Sequence, residues 1–300
     1  VPSTPAAIEM RGVVKRFGEI TAVAGLDLTV PVGVCFGLLG PNGAGKSTSM
    51  RMLTAQAIPD EGTIHVLGHA LPAGSKQARM AMGVVPQQDN LDVELTCRQI
   101  LSVFARLYRV PAAERRAAVD RALAIANLEN RADTIVRELS GGMRRRLLVA
   151  RGLIHHPALV LLDEPTVGLD PQIRQELWSL IDGLRAEGVT VLMSTHYIEE
   201  AERLADTVAV MAAGRIIAQG TPADLIRDHA GREVLEVYGA AAELREVEAL
   251  ASSRGWSSRR SGPAIALLGA ESIEEAPVGG VRRPANLEDA FVALTGHDIE

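Results

Sequence analysis

Apolar and polar positions alternate along the first thirty residues and then change rhythm. Ile8 to Arg16 alternates weakly, as a half-buried strand does, with a turn expected at Phe17-Gly18 and a further strand pair near residues 21–30. The run Val34-Cys35-Phe36-Gly37-Leu38-Leu39 is instead continuously apolar, which fits a strand buried on both faces. After the turn-forming Pro59-Asp60-Glu61-Gly62, Thr63 to Leu67 alternates again, and Gly83-Val84-Val85 is a short apolar stretch ending at Pro86-Gln87-Gln88. From Leu95 to Leu139 the texture differs. Ile100, Val103, Phe104, Leu107 and Tyr108 recur at helical spacing, as do Val119, Ala122, Leu123 and Ala126, so a helical insertion is predicted at about residues 95–140.

Beyond the insertion, helix and strand patterns take turns. Ser140 suits the N-cap of a helix with Met143, Leu147, Ala150 and Ile154 on one face, ended by Pro157. Ala158–Leu162 and Val189–Ser194 read as buried strands. Between them a helix is predicted with Asp170 as cap, Pro171 at its first position and Ile173, Leu177, Leu180, Ile181 and Leu184 as its buried stripe. Ile198–Leu204 reads as a short acidic helix, followed by strands at Thr207–Met211 and Arg215–Ala218. This order predicts an α/β fold with a mainly parallel sheet and helices on both faces. The last eighty or so residues change character. A small helix opens at Thr221-Pro222, Glu233–Tyr238 and Ala264–Leu268 read as strands around a helix near residues 241–251, and Asn286–Leu294 is amphipathic. Gly262-Pro263 and residues 277–284 are expected to be loops. The predicted division is a disordered lead-in at 1–7, a body at 8–220 and a small α+β accessory domain at 221–300.

The chemistry concentrates where the first buried strand meets the first helix. Gly40-Pro41-Asn42-Gly43-Ala44-Gly45-Lys46-Ser47-Thr48 follows that strand and leads into a run of good helix formers. Gly40, Gly43 and Gly45 allow backbone N–H groups to approach phosphate oxygens closely, and the helix aims its positive end at the same anion. Lys46 suits the β- and γ-phosphates, and the Ser47 hydroxyl suits Mg²⁺. Asp163-Glu164 ends a predicted parallel strand, where open α/β sheets place ligands. Asp163 there can hold Mg²⁺, and Glu164 can act as general base toward water. His196 ends another such strand and can reach a γ-phosphate. Gln87 ends a third, with an amide able to sense water or metal.

Other features read more plainly. Arg144-Arg145-Arg146 spreads around its helix, so packing salt bridges are expected. His155-His156 is explained by a helix C-terminus rather than a metal. Phe17 reads as a core aromatic or an adenine stacker, and local context favours the core. The net charge of −6, from 31 basic and 37 acidic residues, and 3 % aromatic content argue against a nucleic-acid surface. Cys35 and Cys97 suit a reducing compartment. No apolar stretch approaches the ~20 residues of a membrane span, and no signal-peptide pattern surrounds Arg11. A cytoplasmic chain whose membrane role runs through a partner is expected.

Taken in order, Gly40–Thr48 as Walker A, Gln87 as Q-loop, Leu139-Ser140-Gly141-Gly142-Met143 as signature, Leu159–Glu164 as Walker B, Val167-Gly168-Leu169-Asp170 as D-loop and His196 as switch resemble an ABC-transporter ATPase subunit. The likeness covers about residues 8–220. It implies a P-loop NTPase core with an antiparallel β subdomain, the cofactors ATP and Mg²⁺, and a homodimer sandwiching ATP. In that pairing Ser140, Gly141 and Gly142 of one copy meet the γ-phosphate held by the other. The resemblance also makes Phe17 the adenine-stacking aromatic, and it adds Pro41, Asn42, Ala44, Thr48 and Asp170 to the nucleotide-contacting set. Met143 stands where the family has Gln, and Val167 where it has a small or hydroxyl residue. Neither change removes a glycine or a charge.

Gly37–Ser47, Gly83–Asp92, Leu139–Leu147, Ser194–Asp206 and the tail Pro284–Gly296 are similar to daunorubicin-resistance and nodulation-factor exporter ATPases. This likeness implies ABC-2-type permease subunits as partners, a place on the inner face of the cell membrane, and drug or antibiotic efflux. Export of a lipo-oligosaccharide or lipid, or an importer role, is the alternative. A ribosome-acting ABC protein needs two ATPase halves, a DNA-repair ATPase needs a long coiled coil, and a small GTPase needs a base-reading NKxD. None of these is present in the sequence.

Overall fold

The first elements follow from the early alternation. In this computed structural model, residues 6–273 and 280–296 are described. β1 (Ala6–Phe17) and β2 (Ile20–Pro31) pair antiparallel, with Ile8, Met10, Val13, Val23, Leu26, Leu28 and Val30 turned inward. Irregular register between Met10 and Val13 breaks the strict period of two, which explains the weak signal in the sequence. The second segment is one continuous strand rather than the expected pair. Ala6 and Ala7 belong to β1, not to a lead-in, and residues 1–5 lie outside the described residues.

The core strands follow. β3 (Cys35–Leu39) is wholly buried and leads to α1 (Lys46–Leu53). β4 (Glu61–Val66) and β5 (His69–Leu71) complete an antiparallel sheet in the order β2-β1-β4-β5. α2 (Ser75–Ala81) then precedes β6 (Met82–Val85). The helical insertion consists mainly of α3 (Cys97–Leu107), which opens with a capping box between Thr96 and Gln99, and α4 (Arg115–Ile125).

From the signature onward the chain alternates. α5 (Gly141–Leu153), β7 (Leu159–Asp163), α6 (Pro171–Ala186), β8 (Thr190–Thr195), α7 (Ile198–Leu204), β9 (Thr207–Ala212) and β10 (Arg215–Gly220) follow one another. The sheet order is β10-β9-β3-β8-β7-β6, parallel except for β10 at one edge. Alternate residues of its strands face two cores. Cys35, Leu39, Val160, Leu162 and Val191 pack with α3 to α7, while Phe36, Leu38, Leu161 and Leu192 pack with α1 and the antiparallel sheet. Burial on both faces is why these strands read as continuous apolar runs.

The parallel register creates the site. Leu39 pairs with Thr195, Asp163 with Ser194 and Val85 with Leu162, so four adjacent strands end along one edge. Residues 40, 196, 164 and 86, distant in sequence, start their loops side by side.

The carboxyl-terminal part holds α8 (Pro222–His229), β11 (Glu233–Tyr238), α9 (Ala241–Arg254), β12 (Ser258–Ser261), β13 (Ala264–Leu268), β14 (Gly280–Pro284) and α10 (Leu287–Thr295). Its sheet runs β12-β13-β11-β14, with α9 on one face. Residues 280–284 therefore form a strand where a loop was expected, and 277–279 lie outside the described residues. β12 and β14 are edge strands held by backbone pairing to one neighbour, so they lack the apolar run of β13. α10 turns back: Leu287, Ala290 and Phe291 join the main core beside Leu204 and Leu225.

Three smaller expectations also change. α5 stops at Leu153, short of Pro157, so the histidines lie past its end. His155 is stacked on Tyr108 at 3.8 Å between ring centroids, with burial pushing its pKa down to about 4. His156 Nε2 lies 2.9 Å from Arg121. Asp170 occupies the N-cap position of α6, but its side chain makes no capping bond.

Opposite its apolar face, α10 carries an ionic hub. The fully buried Asp289 accepts from Arg259 (3.0 and 2.8 Å), Arg283 (2.6 and 2.9 Å) and the Asn286 N–H (3.0 Å). Burial alone would raise its pKa, but bonds from Arg283, the Asn286 backbone and Arg259 outweigh that and lower it. Asp289→Ala should cost about 3–5 kcal/mol in urea unfolding, the range for removing one partner of a buried ion pair. Because the folded-state pKa is depressed, this contribution is present above the ordinary carboxylate value and is lost as pH falls through the lower folded value. Asp289→Asn should therefore flatten part of the acid limb of stability against pH.

Candidate active site

Two glycines of the phosphate loop are imposed by close approach. A Cβ on Gly40 would lie 2.3 Å from the Met211 carbonyl oxygen. Gly45 adopts a φ of 103°, and a Cβ there would lie 2.5 Å from the Ala22 carbonyl. With Gly45 as N-cap, no side chain competes for the first N–H groups of α1, which suits an anion there. Lys46 opens the helix and is only 4 % exposed. Its ammonium donates to the carbonyls of Gly40 (2.7 Å) and Pro41 (3.1 Å) and lies 3.6 Å from Glu164 Oε1. Burial lowers its pKa, and the carboxylates of Glu164 and Asp163 pull the other way.

The end of β7 supplies the acidic side. Asp163 Oδ1 accepts from Ser194 Oγ at 2.5 Å and from Ser47 Oγ at 3.4 Å. Glu164 is 7 % exposed and sits at φ 44°, a left-handed conformation that costs a non-glycine residue about 1 kcal/mol or more. Its N–H donates to both the carbonyl and the hydroxyl of Ser194, each at 3.1 Å, which holds the turn. Gln87 Nε2 donates to Glu164 Oε2 at 2.8 Å, and His196 Nδ1 lies 3.4 Å from Oε1. Lys46, Gln87 and His196 thus meet at one carboxylate, which can hold and orient a proton-bearing nucleophile.

A cleft of about 350 Å³ lies over these groups, lined by residues 42–48, Gln87, Glu164 and Ile20-Thr21-Ala22. Gly40 and Pro41 do not line it but are held to it through their carbonyls, which accept from Lys46. Phe17 is half-exposed beside Lys15, so it is not a core residue. It pairs with Ile20 across the hairpin turn, and Ile20 forms the cleft's exposed apolar wall. Sequence reasoning missed Ile20, because only the turn between them brings it to the cleft.

Ser140, Gly141, Gly142 and Asp170 do not line the cleft. Ser140 caps α5 by accepting from the Met143 N–H at 3.3 Å. Ser140 and Gly141 are exposed, and a Cβ on Gly141 would meet nothing within 4 Å. A Cβ on Gly142 would come 3.0 Å from Ile173. The start of α5 is therefore an open helix N-terminus outside the cleft of its own chain.

Two buried charges near the site carried no sequence signal. Of the three arginines on α5, Arg144 pairs with Asp89 and Arg146 with Glu176, as expected. Arg145 does not fit that expectation: it is buried and donates to the carbonyls of Pro86, Gln87, Asp163, Glu164 and Pro165. Glu200 on α7 is buried and accepts from Thr195 Oγ1 (2.7 Å) and from Thr166 Oγ1, joining the loop after β7 to the end of β8. Its pKa is raised by burial, which the threonine hydroxyl only partly offsets. For a metal, Ser47 Oγ and Asp163 Oδ1 offer neighbouring oxygens, the donor type a hard divalent cation takes. Gln87 turns its amide nitrogen toward Glu164 instead.

Comparison with known proteins agrees with this geometry. A family model described as ABC transporter matches residues 23–167. Over 310 residues the chain is 46 % identical to Nod factor export ATP-binding protein I of Ralstonia nicotianae, covering 100 % of this chain and 96 % of the relative. The chain belongs to the ABC-transporter ATP-binding family. The Rhizobium meliloti protein of the same name is 44 % identical, with 98 % and 89 % covered. Among solved structures, an ATP-binding subunit of an ABC transporter superposes with a TM-score of 0.70 at 28 % identity, covering 81 % of this chain and 98 % of that one. A dimeric ATP-binding cassette bound to ADP and Pi in a post-hydrolysis state gives 0.65 at 28 % identity, covering 71 % and 98 %. As an ABC ATPase the chain binds and hydrolyses ATP to drive transport, and such cassettes dimerise and work with membrane permease subunits. Gly45→Ala should abolish ATP binding measured by calorimetry, since the added methyl would collide with the Ala22 carbonyl as well as the Met211 side chain, at a φ that L side chains rarely adopt.

Proposed function

We propose that two copies of this chain sandwich two ATP molecules and that hydrolysis energises export through separate ABC-2-type membrane subunits. The observation that carries the pairing is the split within one chain. Lys46, Ser47, Gln87 and Glu164 line the cleft, with Asp163 bonded to Ser47 and His196 beside Glu164, while the open Ser140-Gly141-Gly142 end of α5 stands outside it. Each copy then supplies what the other lacks.

In this reading the N–H groups of residues 40–48 cradle the phosphates and Lys46 reaches the β- and γ-phosphates. Phe17, at the exposed end of the hairpin, stacks on adenine. Glu164 takes the proton of the attacking water, Gln87 orients that water, and His196 holds the γ-phosphate. Ser47 and Asp163 would hold Mg²⁺, joined by the Gln87 side-chain oxygen once that amide leaves Glu164, and the ion when bound neutralises charge on the phosphate oxygens. Ser140, Gly141, Gly142 and Asp170 act on the nucleotide of the other copy.

Export is supported by the names of the relatives and by the similarity of the tail Pro284–Gly296 to exporter ATPases. An amphipathic drug or antibiotic is the proposed cargo. The second reading, a lipo-oligosaccharide, draws on relatives named for Nod factor export. Residues 8–220 form the ATPase, with the insertion at about 95–140 and the segment after Gln87 facing the permease, and residues 221–300 are accessory. Among the described residues no helix is long and apolar enough to cross a membrane, which suits a subunit held on the inner membrane face through its permease.

Glu164→Gln should keep ATP affinity and slow turnover by about 10²–10⁴, the range for losing a general base. With ATP it should also sediment as a dimer, and a variant that stays monomeric or turns over like wild type argues against this assignment. Lys46→Ala should weaken nucleotide binding itself, read by titration with a fluorescent ATP analogue.

A further inference from the structure

Arg145 lies one helical turn past the signature glycines and is 9 % exposed. Its guanidinium has five N–H donors and meets five backbone carbonyls. Nε donates to Pro165 at 2.7 Å, Nη1 to Pro86 at 2.6 Å and Gln87 at 3.2 Å, and Nη2 to Asp163 at 3.3 Å and Glu164 at 3.2 Å. No carboxylate comes within ion-pair range of it among the described residues. Burial lowers its pKa to about 10, against the fields of Asp163, Asp89 and Glu200, so it stays charged at neutral pH.

A buried charge of this kind is a poor choice for packing, because an apolar side chain of similar volume would fill the space without desolvating an ion. What it supplies is geometry. A planar fork fixes the segment after β6 and the segment after β7 to α5 at once, which a flexible ammonium does not do. Its neighbours stiffen the same helix: Arg146 bonds Glu176 on α6 at 2.9 Å, and Arg144 lies 3.5 Å from Asp89.

We infer that Arg145 is a positioning residue that couples the two ATP sites of the paired protein. The inference rests on the composite-site reading above. The start of α5 serves the nucleotide held by the other copy, while Arg145 on that same helix sets the backbone under Gln87 and Glu164 of its own site. Engagement of one nucleotide thereby places the general base for the other. Asp163 to Pro165 cannot shift relative to Ser140-Gly141-Gly142 without breaking several of the five bonds.

The test compares ATP hydrolysis against ATP concentration for the full chain and for Arg145→Lys, which keeps the charge but not the fork. Wild type should show a Hill coefficient approaching about 2, as two coupled sites give. Arg145→Lys should fall toward about 1, with kcat lower by about 2- to 30-fold. Binding of a fluorescent ATP analogue should stay within about twofold, since the phosphate loop is intact. A wild-type Hill coefficient of 1 overturns the inference, and so does an Arg145→Lys protein that retains the wild-type coefficient, whatever its kcat, because a structural prop alone would leave cooperativity unchanged.

Should the lysine variant not fold, hydrogen exchange on Glu164→Gln titrated with ATP reads the same coupling. Protection of residues 140–146 and 86–90 should rise together, and protection of one segment without the other overturns the inference. The two readings fail separately. Wild-type turnover in Glu164→Gln removes the composite-site chemistry, whereas an inactive Glu164→Gln beside a fully cooperative Arg145→Lys removes only the coupling.

Discussion

Two buried cations, each satisfied mainly by backbone carbonyls, hold the strand ends of this protein against one another. Lys46 draws in the loop after β3, and Arg145 draws in the loops after β6 and β7. Inside a low-dielectric interior such charges are tolerated only where oriented dipoles surround them. The loops therefore cannot relax one by one. Each carbonyl that moved away would leave a buried charge less well solvated. Groups fixed in advance in this way stabilise developing charge without reorganising at the moment of reaction.

Glu200 continues the same scheme with opposite sign. It joins Thr166, two residues beyond Glu164, to Thr195, which directly precedes His196. The loops after β6 and β7 and the end of β8 are thus linked in series through one arginine and one glutamate. α7, which carries Glu200, in turn packs against α10, where the Leu287 N–H donates to Glu202 at 3.2 Å. The apolar face of α10 lies in the main core and its Asp289 lies in the arginine hub, so the carboxyl-terminal sheet is joined to the helix that follows His196. The carboxyl-terminal region shares a core with the α/β body.

Much of this was legible in order along the chain. Continuous apolar runs marked β3, β7 and β8 because both faces of the parallel sheet are covered, and the phosphate loop announced itself through glycine spacing followed by lysine and serine. Glu233–Tyr238, Ala264–Leu268 and Ile198–Leu204 fall where their patterns placed them. The strands that escaped were β5, β12 and β14, which are short or lie at sheet edges. Their pairing is made by backbone groups and leaves little trace in side-chain pattern. Phe17 reads as core from local context because an aromatic at a strand end looks the same whether packing buries it or leaves it exposed.

The sequence by itself determined which groups exist and the local geometry they need: glycines where backbone must come close, a lysine opening a helix, paired acids ending a strand. Local hydrogen bonding and steric limits act over a few residues, so they are written in adjacent letters. Only the tertiary structure decided which of those groups meet. The parallel register brings Gly40, Gln87, Glu164 and His196 to one edge, and the turn of α5 sends Arg145 inward while Arg144 and Arg146 reach carboxylates nearer the surface. An arginine among arginines carries no sign of being buried, because burial is a property of the neighbours that long-range packing supplies.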